Sequence, residues 1–199
     1  MKPVQRLVLA SNNAKKLREL ADLLAPLGMA LVPQAELGVG EADEPHGTFV
    51  ENALEKARHA SRLTGLPALA DDSGICVDAF GGAPGVLSAR FAGEPRSDAR
   101  NNARLLADLT DKSDRRAHYY CVLVFLRSAD DPQPIIAEGE WHGEILSAAQ
   151  GEGGFGYDPL FLIPELGLSV AEMSSEEKHL RSHRGQAMVR LVERLRARR

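Results

Sequence analysis

Between residues 67 and 74 the chain reads Pro67-Ala68-Leu69-Ala70-Asp71-Asp72-Ser73-Gly74, an apolar run that ends in two adjacent carboxylates, a hydroxyl and a glycine. Successive side chains of an extended segment face opposite ways, so Asp71 and Asp72 cannot share one core and at least one must meet a polar site. The apolar part reads as a strand, and Asp, Ser and Gly are ordinary turn residues. Two readings follow: a strand end with an unremarkable turn, or a strand that delivers a carboxylate to a reaction. The rest of the chain decides between them.

Residues 6–11 read as a buried first strand, followed by an amphipathic helix over 13–24 with Leu17, Leu20, Ala21 and Leu24 on one face. A short strand at 30–33 precedes an acidic, glycine-punctuated loop over 38–47 that carries Glu41, Asp43 and Glu44. Thr48 with Glu51 three positions on has capping-box spacing and starts a helix that stops at Gly65-Leu66-Pro67. Its Glu51, Glu55, Lys56, Arg58 and Arg62 lie off the apolar stripe and are expected to be solvated. Further helices are expected over 97–109, as a capped turn at 174–178, and from about Ser182 onward, where Ser182 is the expected N-cap. Strands are expected at 117–126 and 135–146, forming a long hairpin, and at 160–163. This alternation predicts an α/β protein, a single domain over residues 1–199 with a mixed, extended sheet and helices beside it.

Composition narrows the partners. A formal charge of −4 spread over 199 residues gives no field that would draw the chain to nucleic acid or to a membrane surface. The apolar run at Leu7-Val8-Leu9-Ala10 is too short for a signal-peptide core and no stretch is long enough to span a bilayer, so a cytoplasmic protein is expected. Cys76 and Cys121, far apart in apolar surroundings, fit neither a disulfide framework nor a CxxC metal pair, and read as buried thiols.

Several groups carry chemistry. Ser11-Asn12-Asn13-Ala14-Lys15-Lys16 joins the first strand to a helix N-terminus, where unpaired N–H groups and the helix dipole favour an anion. Lysines in a first turn oppose that dipole, so a bound phosphate accounts for Lys15 and Lys16 as well as solvation does. Glu44, Asp71 and Asp72 suit Mg²⁺, which takes oxygen ligands and bridges carboxylates to phosphates. Lys15, Lys16, Lys56 and Lys178 suit the phosphates. Gly151-Glu152-Gly153-Gly154-Phe155-Gly156 matches GxGxxG, but Tyr157-Asp158-Pro159 follows where a helix would have to begin, which excludes the dinucleotide reading. That loop instead offers Phe155 and Tyr157 as exposed rings for a planar ligand. His179 and His183 have metal-ligand spacing without a third ligand nearby, which argues against zinc. His183 and Arg184 present donors suited to a carbonyl acceptor. The residues alone thus describe a Mg²⁺-dependent enzyme acting on a phosphorylated metabolite with a planar ring.

Six blocks in order, Ser11-x-Asn13-x-x-Lys16, Thr48-Phe49-x-Glu51-Asn52-Ala53, Ala70-Asp71-Asp72-Ser73-Gly74, Gly82-Ala83-Pro84-Gly85, Gly154-Phe155-Gly156-Tyr157-Asp158-Pro159 and Ser182-His183-Arg184-Gly185, resemble the inosine triphosphate pyrophosphatase (Ham1-like) family over nearly the full chain. The resemblance implies an elongated α/β fold with a cleft between two lobes. It also implies a cytoplasmic homodimer that, with Mg²⁺, hydrolyses ITP, dITP and XTP to the monophosphate and pyrophosphate. Carried over position by position, Ser11, Asn12, Asn13, Ala14, Lys15 and Lys16 hold the phosphates, Glu44 and Asp72 bind metal, Asp72 also acts as general base, and Ser73 contacts substrate. Phe155, Gly156, Tyr157, Asp158, Lys178, His183 and Arg184 form the nucleoside pocket. Lys56 is the weakest carry-over, because an exposed helical lysine explains it equally well.

Two rivals remain at this point. A Maf-like nucleotide pyrophosphatase has a similar fold and another base preference, but its first motif carries arginine where Lys16 stands. A non-catalytic nucleotide sensor would use the same pocket without turnover, and the complete carboxylate set argues against it.

Overall fold

The computed structural model describes residues 5–11, 17, 20–22 and 24–198. Among these residues one seven-stranded sheet runs in the order β2-β1-β3-β4-β5-β6-β7, with β1 Gln5–Leu9, β2 Met29–Pro33, β3 Ala68–Val77, β4 Arg116–Leu126, β5 Ile135–Ile145, β6 Phe161–Ile163 and β7 Leu168–Ser169. β1 pairs in parallel with both β2 and β3, whereas β5, β6 and β7 pair antiparallel, so the sheet is mixed as the sequence predicts. Leu7, Val8 and Leu9 are all fully buried, the continuous apolar signature of a parallel strand covered on both faces. The expected helix over 13–24 is described only at Leu17, Leu20, Ala21, Asp22 and Leu24, which are helical. Its first turn lies outside the described residues.

The chain divides into two compact units. The first holds residues 1–72, 121–138 and 187–199; the second holds 73–120 and 139–186. Each has its own apolar core. In the first, Leu7, Leu9 and Leu69 pack with Leu20, Leu24, Cys121, Leu123, Met188 and Leu191. In the second, Ile75, Val77, Leu105, Tyr119, Trp141, Tyr157 and Phe161 do so. Both cysteines are buried and neither forms a disulfide.

Helix α1, Phe49–Thr64, starts as its capping signal predicts: the Thr48 hydroxyl accepts from the Glu51 N–H at 3.4 Å. It ends at Gly65, whose φ of +68° is the left-handed conformation that closes a helix most readily with glycine. Three residues then lead into β3. Helix α2, Asp98–Asp108, is capped by Ser97, and α3, Ser175–Arg181, carries a full capping box between Ser174 and Glu177.

The last helix, α4 His183–Ala197, begins with the Ser182 hydroxyl accepting from the Gly185 N–H at 3.2 Å. Side chains at every fourth position of this helix and just beyond it donate to backbone carbonyls of β5 and the residues before it. Gln186 reaches Glu140 O at 2.7 Å, Arg190 reaches Glu138 O at 2.6 Å, Arg194 reaches Ile136 O, and Arg198 reaches Gln133 O at 2.9 Å. β6 pairs with β5 only at Glu144 and Ile145, so the earlier part of β5 is an edge whose carbonyls these side chains cover. The Arg190→Ala/Arg194→Ala double variant is expected to lose about 1–3 kcal/mol in urea unfolding and to form higher oligomers by light scattering. Wild-type values in both measurements would contradict this role.

Candidate functional site

β3 does not stop where its turn-like residues begin. Asp71, Asp72, Ser73 and Gly74 lie inside a ten-residue strand, which excludes the turn reading. The parallel register sets Leu9 beside Leu69, so the two carboxylates follow directly past the carboxyl end of β1, where ligands bind in open parallel sheets. Asp71 is 4% exposed and Asp72 9%, on opposite faces of the strand.

Lys56 meets Asp72 because helix and strand are joined so tightly. From Lys56 to the end of α1 the chain climbs about 12 Å at the helical rise. From Ala68 back along the strand to Asp72 it covers about 13 Å, so the two side chains come to the same height. The Lys56 ammonium lies 2.9 Å from Asp72 Oδ1 and 2.6 Å from Glu44 Oε1, and donates to Asp71 O at 3.2 Å. Lys56 is therefore not a solvated helix charge as expected but the cation of a partly buried triad. The loop that brings Glu44 is tied to α1 by Asn52, which accepts from His46 N at 3.0 Å and donates to His46 O at 3.2 Å.

Burial pushes the Asp72 carboxyl above the ordinary carboxylate range; Lys56 pulls it down, while Glu44 and Asp71 push it further up. Burial disfavours the Lys56 ammonium too, but Asp72 and Glu44 outweigh it and hold its pKa above the usual lysine value. Asp72 Oδ2 is buried and, among the described residues, has no hydrogen-bond partner. No group of three His, Cys, Asp or Glu side chains able to hold a metal occurs among the described residues. Glu44 and Asp72 nonetheless converge on one cation, and Asp72 keeps an oxygen open. That donor set suits a hard divalent ion completing its shell with water and phosphate oxygens.

In the second unit, Asp158 organises a separate group. Its carboxylate accepts from Phe155 N at 2.8 Å, from the Tyr119 hydroxyl at 3.3 Å and from the Lys178 ammonium, which stands 4.4 Å from the Phe155 ring centroid. Phe155 is 50% exposed, an aromatic ring partly open to solvent. Tyr157 is not the second exposed ring the sequence suggests: it is 5% exposed, packs in the core, and its hydroxyl donates to Ser88 O at 2.7 Å. The His183 ring stacks on Tyr119 at 4.8 Å. Arg184 Nη2 donates to Ser73 Oγ at 3.3 Å, while its buried Nε has no partner among the described residues and is an open donor. Two glycines of the motifs are required by space: a side chain at Gly154 would strike the Asp158 carboxylate, and one at Gly185 the His179 carbonyl.

Asn12, Asn13, Ala14, Lys15 and Lys16 lie outside the described residues; Ser11, before them, is half-buried. Sequence reasoning missed Tyr119, Ser88, Asp98 and Asn102. Tyr119 falls within the strand expected at 117–126, and Asp98 and Asn102 within the helix expected over 97–109, with nothing to set them apart. The i, i+4 spacing of these last two on α2 is the one signal that they share a face.

Lys56→Met removes the ammonium that Asp72 and Glu44 share. The folded-state pKa of Asp72 then rises further, so the variant's stability deficit grows as pH rises from 5 to 8, reaching about 3–5 kcal/mol. Denaturant unfolding at the two pH values checks this; a pH-independent deficit would contradict it.

A family model described as the Ham1 family matches residues 7–194. The dITP/XTP pyrophosphatase of Ralstonia nicotianae is 66% identical over 97% of this chain and 98% of its own length. That of Chromobacterium violaceum is 65% identical over 96% and 98%. Among solved structures, a HAM1 protein from Coxiella burnetii superposes with a TM-score of 0.94 at 45% identity, covering 97% of this chain and 99% of that one. The Staphylococcus aureus Ham1 protein gives 0.91 at 36% identity, covering 98% and 100%.

Proposed function

The chain belongs to the Ham1 family, and from that premise we propose that it hydrolyses dITP, XTP and ITP to the monophosphate and pyrophosphate. The observation that carries the reading is Asp72: a buried carboxylate with a raised pKa, one oxygen on Lys56 and the other open. Burial makes it a stronger base than a solvated aspartate, while Lys56 opposes that rise, which suits removal of a proton from water. Glu44 and Asp72 would hold Mg²⁺, which when bound supplies Lewis-acid polarisation and charge neutralisation at the phosphates. Lys56 would carry positive charge to a phosphate oxygen, and Ser11 with the residues up to Lys16 would bind the leaving pyrophosphate. With pyrophosphate as the leaving group, water would attack the α-phosphorus.

The nucleoside would be read in the second unit. Phe155 offers the stacking face, and Gly156, Tyr157, Asp158 and Lys178 shape its surroundings. Arg184 and His183 supply donors and Ser73 a hydroxyl. A donor aimed at the purine 6-position accepts the O6 of hypoxanthine or xanthine, whereas the amino group of adenine leaves it unpaired, a difference a buried donor amplifies. We assign the enzyme to the cytoplasm, as a magnesium-dependent homodimer with neither nucleic acid nor membrane as partner. No helix among the described residues is long and apolar enough to cross a membrane.

Purified protein with Mg²⁺ should release pyrophosphate from ITP, dITP and XTP much faster than from ATP or GTP. Equal rates on all five would refute the specificity, and tight ITP binding without pyrophosphate would refute the activity. Asp72→Asn should lower kcat about 10²–10⁴-fold and still bind ITP; full turnover would remove Asp72 as the base.

A further inference from the structure

The half-exposed Phe155 ring sits in a loop that could present it in many directions, yet its neighbour Gly156 is gripped at both backbone groups by one helix face. Gly156 N donates to Asp98 Oδ2 at 2.7 Å, and Asn102 Nδ2 donates to Gly156 O at 3.0 Å. Asp98 and Asn102 are four residues apart on α2, so they project from the same side of one rigid element. The helix is fixed in turn: Ser97 caps its first turn, Leu105 is fully buried, and Asn101 ties its inner side to the 88–92 segment, donating to Ala89 O at 3.1 Å and accepting from Ala92 N at 2.7 Å.

Gly156 itself has no crowding that would demand this grip. A side chain there would meet nothing within 4 Å, and the residue is constrained only by its φ of +63°. The clamp also has a cost that packing does not recover: with Nδ2 committed to Gly156, Asn102 Oδ1 is buried and has no partner among the described residues. Within the loop, Asp158 holds Phe155 from the other side through its N–H. The peptide that follows the ring is thus set by α2, and the one that precedes it by Asp158.

We propose that Asp98 and Asn102 are positioning residues, which by clamping Gly156 set the Phe155 ring at the angle at which a purine stacks on it. This rests on the reading that Phe155 takes the base, and both residues act on it through Gly156. Pre-ordering a stacking platform lowers the ordering cost of binding and leaves the bond-breaking step alone. The clamp therefore belongs in KM.

Asp98→Ala and Asn102→Ala should each raise KM for ITP about tenfold, the equivalent of one well-made hydrogen bond, with kcat nearly unchanged. Asp98→Asn keeps an acceptor for the Gly156 N–H and should restore KM. Backbone amide exchange across residues 154–158 should accelerate in both alanine variants and not in Asp98→Asn. Wild-type KM in the alanine variants, or a kcat loss without a KM change, overturns the clamp. A wild-type enzyme that does not turn over ITP would refute the proposed activity instead, and unchanged exchange in the alanine variants would then refute the clamp by itself.

Discussion

The Lys56 ammonium between Glu44 and Asp72 is the contact on which the rest of the first unit depends. Two carboxylates brought together away from water repel each other and lose hydration, and only a cation at hydrogen-bond distance makes the arrangement tolerable. That cation must arrive on a rigid support. A helix and a strand joined by three residues supply it, because eight helical rises and four strand rises cover nearly the same height. The triad is therefore built into the αβ hairpin rather than added to it. It leaves Asp72 with a more basic carboxylate and an oxygen to use.

The second unit solves a different problem, that of holding an exposed ring still. Asp158 gathers a backbone N–H, a phenol and an ammonium on one buried carboxylate, and Gly154 leaves the room for it. The close approach at Gly185 lets α4 begin directly after α3, which puts His183 against Tyr119 and Arg184 on Ser73. Gly154 and Gly185 are required by a neighbouring polar group in the space a side chain would fill, whereas Gly156 is required only by its φ of +63°.

Local signals were legible wherever the chemistry is local. The caps at Thr48, Ser174 and Ser182, the stop at Gly65, and the strands β1, β2, β4 and β5 can be read from the residues themselves, and so can the rejection of the dinucleotide loop. What could not be read depends on a partner distant in sequence. Asp-Ser-Gly is turn chemistry until strand pairing overrides it. Lys56 is an ordinary solvated lysine until β3 folds back along its helix, and Tyr157 is an exposed loop ring until the core of the second unit closes over it. Tyr119, Asp98 and Asn102 act on residues 39 to 64 positions away in the chain, where periodicity carries no information.

In the proposed reaction Asp72 activates water for attack at the α-phosphorus. Hydrolysis of ITP in ¹⁸O-labelled water tests it most directly, because the label records which phosphorus was attacked. Attack at the α-phosphorus puts the label in inosine monophosphate and none in pyrophosphate; label in the pyrophosphate would contradict it.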